Sequence, residues 1–170
     1  MDANPDYCDL LSEFNAANVR YLVIGAHALA YHAEPRFTKD IDVWVDAADE
    51  NARRVWTALR EFGAPLRGIS AGEFAVPDMV YQMGIPPNRV DVLTSVAGVR
   101  FANAWRRRVR VSYGGIVIFV MSRADLIRNK RACGRPQDLL DVKQLIAGTR
   151  GAGRRTRQRK RRPNRRLRDD

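Results

Sequence analysis

Asp40 and Asp42 stand two residues apart at the head of the apolar run Ile41-Asp-Val-Trp-Val45. Side chains two apart on a strand point to the same face, about 6.5–7 Å apart at Cα, so both carboxylates can converge on one site. Two such anions repel and raise each other's pKa, and a divalent cation between them relieves the repulsion. Alone, the pair is weak evidence: about one chain of this size in two or three carries an Asp-x-Asp by chance, and an exposed strand end explains it as well. Asp91 strengthens the case, because in Arg89-Val-Asp-Val-Leu93 a carboxylate flanked by Val is disfavoured unless it faces metal, water or a cation. Upstream, Ile24-Gly25-Ala26 places a glycine turn at the start of a helical stretch, where free backbone N–H groups and the helix dipole favour phosphate. Together these residues suit metal-assisted chemistry on a phosphate compound.

The elements that must position them follow from periodicity. Leu10, Leu11 and Phe14 give Asp6 to Asn18 a helical stripe, and Tyr21 to Ile24 reads as a short buried strand. Gly25 ends that strand, and Ala26 to Ala33 has the composition of a helix that Pro35 closes. Ile41 to Val45 alternates and is β-branched, as a strand requires, and Val55, Trp56, Leu59 and Phe62 stripe a helix from about Ala48 to Phe62. Residues 64 to 77 read as a loop or short helix. Met79 to Met83 and Arg89 to Leu93 are strands about a Gly-Ile-Pro-Pro-Asn turn, and Val109 to Val111 and Ile116 to Val120 flank Gly114-Gly115 as a second hairpin. A short helix is predicted over Phe101 to Arg107, and Ser122 caps another through Cys133. A last helix runs from Gln137 to Ile146 with Leu139, Val142, Leu145 and Ile146 inward. Strands interleaved with helices predict an α/β (α+β) chain: a mixed central sheet with helices packed against it.

The 170 residues suit one domain, and 45% hydrophobic residues supply a core, which excludes a wholly disordered chain. The net charge of +11 sits mainly at one end. Residues 149 to 170 hold ten Arg and one Lys against Asp169 and Asp170, leaving only +2 for residues 1 to 148. The division expected is therefore a folded domain over 1–147 and a disordered Arg-rich tail over 148–170. Such a tail attracts the phosphates of RNA or DNA in a salt-dependent way, though a solvated extension without a partner fits the composition equally. No apolar stretch is long enough for a membrane helix, and the acidic N-terminus lacks the charge order of a secretory leader, so a cytoplasmic protein is expected. Cys8 and Cys133 form neither a disulfide framework nor a zinc pattern. His27 and His32 have no second ligand at metal spacing and read as structural or exposed, and Trp44, Trp56 and Trp105 as core or half-buried.

In their order, Ile24-Gly25-Ala26, Asp40-Ile-Asp42 and Asp91 resemble the nucleotidyltransferase superfamily of polymerase-beta-like fold. Val23 to Leu29, Pro35 to Asp42, Asp125 to Lys130 and Gly134 to Asp141 are more narrowly similar to the AbiEii-type and minimal nucleotidyltransferases of bacteria, over roughly Val19 to Ile146. The resemblance implies transfer of a nucleoside monophosphate from an NTP to a hydroxyl acceptor, with release of pyrophosphate. It implies two Mg²⁺ ions about 3.5–4 Å apart on Asp40 and Asp42, with Asp91 completing the acceptor-side ion. Gly25 and Ala26 would offer N–H groups to the β and γ phosphates. Lys130 would be the first cation for the leaving pyrophosphate, with Arg36 and Lys39 next. Arg36 and Lys39 could equally be surface charges beside Asp40, and Lys130 could equally lie on the solvent face of its helix. Asp138 and Asp141 read as structural anchors for Arg or Lys near the site. Ala26 departs from the Ser or Gly common in catalytic members, so a side-chain hydroxyl contact to phosphate is absent and backbone N–H contacts remain. The acceptor implied is RNA, tRNA or a protein, within a toxin–antitoxin or phage-defence system with a cognate partner protein. The alternatives are an antibiotic-modifying nucleotidyltransferase and a non-catalytic nucleotide- or RNA-binding regulatory module.

Overall fold

Burial alternates at the head of the strand that carries Asp40 and Asp42. In β2 (Asp40–Val45), Ile41, Val43 and Val45 are buried, while Asp40 and Asp42 on the alternate positions keep contact with water. The computed structural model describes residues 3–33, 40–86 and 88–158, with side chains as far as residue 148. After α1 (Pro5–Ala16) come β1 (Tyr21–Val23), α2 (Gly25–His32), β2 and α3 (Asp49–Phe62). A 3-10 turn (Ala71–Ala75) leads to β3 (Val80–Met83), β4 (Arg89–Leu93) and α4 (Phe101–Arg106). The chain ends with β5 (Val109–Tyr113), β6 (Ile116–Val120), α5 (Arg123–Cys133) and α6 (Pro136–Gln158).

The six strands form one mixed sheet in the order β3-β4-β2-β1-β6-β5. Both hairpins expected from their turns are present as antiparallel pairs, β3 with β4 and β5 with β6. In the centre β1 is antiparallel to β2, whereas β2 with β4 and β1 with β6 are parallel. Phe14 of α1 packs edge-on against Tyr21, so α1 lies on the face shared by Tyr21, Val23, Ile41 and Val43. Trp44 lies on the other face with Asp40 and Asp42, against Phe101 and with its indole N–H donated to the Thr94 carbonyl. Helices α2, α5 and α6 pack on one another.

Local chemistry sets the boundaries. Asn4 and Ser122 cap α1 and α5 through their side chains, and Gly63 and Gly134 end α3 and α5 in left-handed geometry. Two expectations for the last helix are corrected. Val142 and Leu145 are buried, but Leu139 and Ile146 are exposed, because α6 meets the body of the domain along a narrower stripe than its apolar residues suggest. Helical backbone also runs on to Gln158, past the helix end expected at Ile146. Most of the basic tail, 159–170, lies outside the described residues. Cys8 is half-buried and Cys133 exposed, both as free thiols. Among the described residues no helix is long and apolar enough to cross a membrane.

Candidate active site

The parallel register of β2 and β4 builds the site. It sets Asp42 beside Asp91 and Asp40 beside Arg89, so three carboxylates and one guanidinium share a face at neighbouring lattice positions. Asp91 is only 8% exposed. Burial and the charges of Asp91 and Asp40 push the Asp42 carboxyl up to about 6, against the opposing pull of Arg89 and Lys130.

Gly25, first residue of α2, abuts this group. Its φ of +60° is left-handed, and a Cβ there would fall 2.0 Å from Asp42 Oδ2. Only glycine fits, for both backbone and packing reasons. The preceding residue, Ile24, donates its N–H to the Asp42 carbonyl at 3.0 Å, which ties the start of α2 to β2. The N-terminus of α2 and the Asp42 carboxylate are therefore in contact, as the glycine motif and the Asp-x-Asp pair anticipate. Ala26 is nearly buried, so its methyl is part of the packing.

Lys130 does not lie on the solvent face. It is 5% exposed, with Nζ 2.6 Å from Asp141 Oδ2 and 3.2 Å from Asp138 Oδ1. Arg135 closes on Asp138 at 2.7 Å, and Gln137 donates to Asp141 at 3.0 Å. Asp138 and Asp141 thus do anchor basic side chains, and the lysine they hold is near enough to Asp42 to lower its pKa. A second buried carboxylate, Asp125, accepts from Arg107, Arg128 and the capping Ser122, and these donors hold it below the usual carboxylate range despite its burial. Arg36 and Lys39 lie outside the described residues.

His32 is in hydrogen-bond contact with the Met121 carbonyl at 2.7 Å, and His27 packs edge-on to Tyr7 and Tyr113, with burial holding both imidazoles towards the neutral form. His27 lines a cavity of about 280 Å³ with Val23, Ile41, Tyr113 and Val120. That cavity lies against the Ile41 face of β2, turned away from the carboxylates. Trp44 is buried, and Trp56 donates to the Ile69 carbonyl.

Arg89 is the residue to which the sequence assigns no role. Its Nη2 is 2.9 Å from Asp40 Oδ2 and its Nε 3.1 Å from Asp91 Oδ1. Period-two alternation from Asp91 would have placed it on the same face, but its partner on β2 depends on register.

The donor set is chemically suited to a hard divalent cation: three carboxylates, with Asp91 Oδ1 buried and accepting no hydrogen bond. Burial first, and then the charges of Asp91 and Asp40, raise the Asp42 carboxyl, and a cation would offset the part that is anionic repulsion. As the side chains stand, no three His, Cys, Asp or Glu groups among the described residues converge at metal-binding separation, and Arg89 bridges two of the carboxylates instead.

Over residues 8–147 the sequence matches the family described as "Nucleotidyltransferase of unknown function (DUF6036)". Comparison with curated proteins yields no match. Among solved structures, the chain is similar to the lincomycin-bound lincosamide antibiotic adenylyltransferase LnuA, with a TM-score of 0.50 and 14% identity over 86% of this chain and 98% of that one. A second similar structure is an antigenic nucleotidyltransferase-like protein from Paracoccidioides brasiliensis, with a TM-score of 0.47 and 14% identity over 84% of this chain and 74% of that one. At such identities the likeness is one of fold, and it agrees with the mixed six-stranded sheet flanked by helices. The family match spans most of the chain, which therefore belongs to this nucleotidyltransferase family.

Proposed function

We propose that the protein is a metal-dependent nucleotidyltransferase that moves a nucleoside monophosphate from an NTP to a hydroxyl acceptor and releases pyrophosphate. The observation that carries this reading is the β2–β4 register, which gathers Asp40, Asp42 and Asp91 on one face, with Gly25 and the start of α2 against Asp42. Asp40, Asp42 and Asp91 would hold Mg²⁺, which when bound supplies charge neutralisation for the triphosphate and a lowered pKa for the attacking hydroxyl. The chain's own contribution is positional. Gly25 lets the carboxylate of Asp42 and the backbone of α2 approach each other, so N–H groups of residues 25 and 26 are available to phosphate oxygens beside the metal ligands. Lys130 keeps Asp138 and Asp141 neutralised and adds positive potential at Asp42 from behind. That is a supporting role beside the phosphate contact proposed for it from the sequence. Arg36 and Lys39 remain proposed phosphate ligands from the sequence.

RNA, tRNA or a protein is the acceptor that the AbiEii-type resemblance supports, together with a toxin–antitoxin or phage-defence setting, and the basic tail would assist a nucleic-acid acceptor. A small-molecule hydroxyl is the second reading. It is favoured by the likeness of fold to LnuA, which is covered over 98% of its chain and whose structure is lincomycin-bound. One experiment separates them: α-labelled ATP, CTP, GTP and UTP with Mg²⁺ are offered total RNA, total protein and a panel of lincosamides and aminoglycosides, with Asp40→Ala/Asp42→Ala as control. Label entering one pool with the wild type and absent with the double variant establishes transfer and the acceptor class. No transfer and no Mg²⁺-dependent NTP binding would leave a non-catalytic binding module.

A further inference from the structure

On the carboxylate face β4 presents two charged side chains, Arg89 and Asp91, and the register sets them beside Asp40 and Asp42 respectively. The Arg89 guanidinium spans the group. Nη2 pairs with Asp40 Oδ2 at 2.9 Å and also donates to Asp91 Oδ2 at 3.3 Å, while Nε lies 3.1 Å from Asp91 Oδ1. That last contact is electrostatic only: Nε and Oδ1 are both buried and neither completes a hydrogen bond. Charge holds the guanidinium in place more than directional bonding does. The nearby cations Lys130 and Arg135 are engaged by Asp138 and Asp141, and among the described residues Arg89 pairs directly with two of the three carboxylates.

We propose that Arg89 is an internal counter-ion of the carboxylate triad, and that it must leave Asp40 and Asp91 before a divalent cation can bind there. This inference rests on reading the triad as the metal site. A guanidinium and a divalent cation cannot share the same carboxylate oxygens, because their mutual repulsion in a half-dry site is strong. Arg89 is free to move. It is the first residue of β4, and its side chain is 36% exposed, so it can turn towards solvent without unpacking the core. The metal-free protein therefore keeps two of its three crowded carboxylates paired with a cation, at the expense of metal affinity. A polyphosphate arriving with the metal supplies a new anion for the displaced guanidinium, so metal and nucleotide binding reinforce each other.

The test is binding of Mn²⁺ alone, followed by electron paramagnetic resonance of the free ion at pH 8, to the wild type, Arg89→Ala, Arg89→Gln and Arg89→Lys. The two neutral variants are expected to bind Mn²⁺ about tenfold or more tightly than the wild type, with Arg89→Lys closer to wild type, since a like charge at contact distance has been removed. Equal or weaker binding by folded neutral variants overturns the role of Arg89 and leaves the triad as a metal site. Absence of Mn²⁺ binding in all four proteins removes the metal site and this inference with it. Should both neutral variants fail to fold, Mg²⁺ titration of the ¹⁵N-labelled wild type decides the matter. The Arg89 Nε–H resonance is expected to shift and lose exchange protection at the midpoint of metal binding, and an unmoved resonance at saturating Mg²⁺ overturns the proposal.

Discussion

Replacing Asp42 by Asn should stabilise the metal-free protein, in proportion to how far burial and the neighbouring carboxylates raise its carboxyl. In the unfolded chain Asp42 titrates near 3.8, and in the fold burial and the charges of Asp91 and Asp40 raise it to about 6. Between those values the folded state retains a proton that the unfolded state has released, so stability falls as pH rises from about 4 to about 6, and the full penalty is present above that. The rise from 3.8 to about 6 corresponds to about 3 kcal/mol, and partial hydration of the carboxyl trims this to about 2 kcal/mol. Asn keeps the shape and removes the charge. In EDTA at pH 8, Asp42→Asn is expected to unfold about 2 kcal/mol later in urea and about 4–8 °C higher by calorimetry than the wild type. At pH 4 the gap should be small, because Asp42 is then neutral in the fold and only about half ionised in the unfolded chain. Adding Mg²⁺ at pH 8 should narrow the gap by stabilising the wild type selectively. A gap that is absent at pH 8, or equal at pH 4 and pH 8, would refute the raised Asp42 carboxyl as its origin.

Gly25→Ala forces a methyl into the Asp42 carboxylate at a left-handed φ, so a loss of about 1–2 kcal/mol in denaturant stability is expected from the backbone alone, together with weakened NTP binding in calorimetry. Lys130→Met removes the buried lysine that Asp138 and Asp141 share while Arg135 stays on Asp138, and thermal denaturation should show a loss of about 3–5 kcal/mol. Adding Asp138→Asn and Asp141→Asn should recover most of that loss; a triple variant that refolds yet has lost all NTP affinity would argue that Lys130 reaches the phosphates directly. Asp125 has the opposite sign to Asp42: its depressed pKa contributes stability at neutral pH that is lost on acidification below about 4. Acid titration of Asp125→Asn should accordingly show a shallower loss of stability than the wild type on that limb.

How much of the site was legible depended on whether a feature is local. Strand period placed Asp40 and Asp42 on one face, and the Gly-Ile-Pro-Pro-Asn and Gly-Gly turns marked both hairpins. The glycine after β1 was legible too, because turn and helix starts are governed by the few residues that form them. Composition and alternation therefore carried the fold class and the three carboxylates without any knowledge of partners. Tertiary structure decided which strands became neighbours and in what register. Only the parallel pairing of β2 with β4 brings Asp91 to Asp42 and Arg89 to Asp40, and a slip of one residue would have turned Asp91 to the opposite face. The same holds for Lys130, whose helix by itself suits a solvent-facing lysine with neighbouring arginines. Its burial exists because α6 carries two aspartates onto it from eight and eleven residues away. Leu139 and Ile146 show the converse: an apolar stripe on a helix is a property of the sequence, but how wide a stripe becomes buried is set by the surface against which the helix comes to rest.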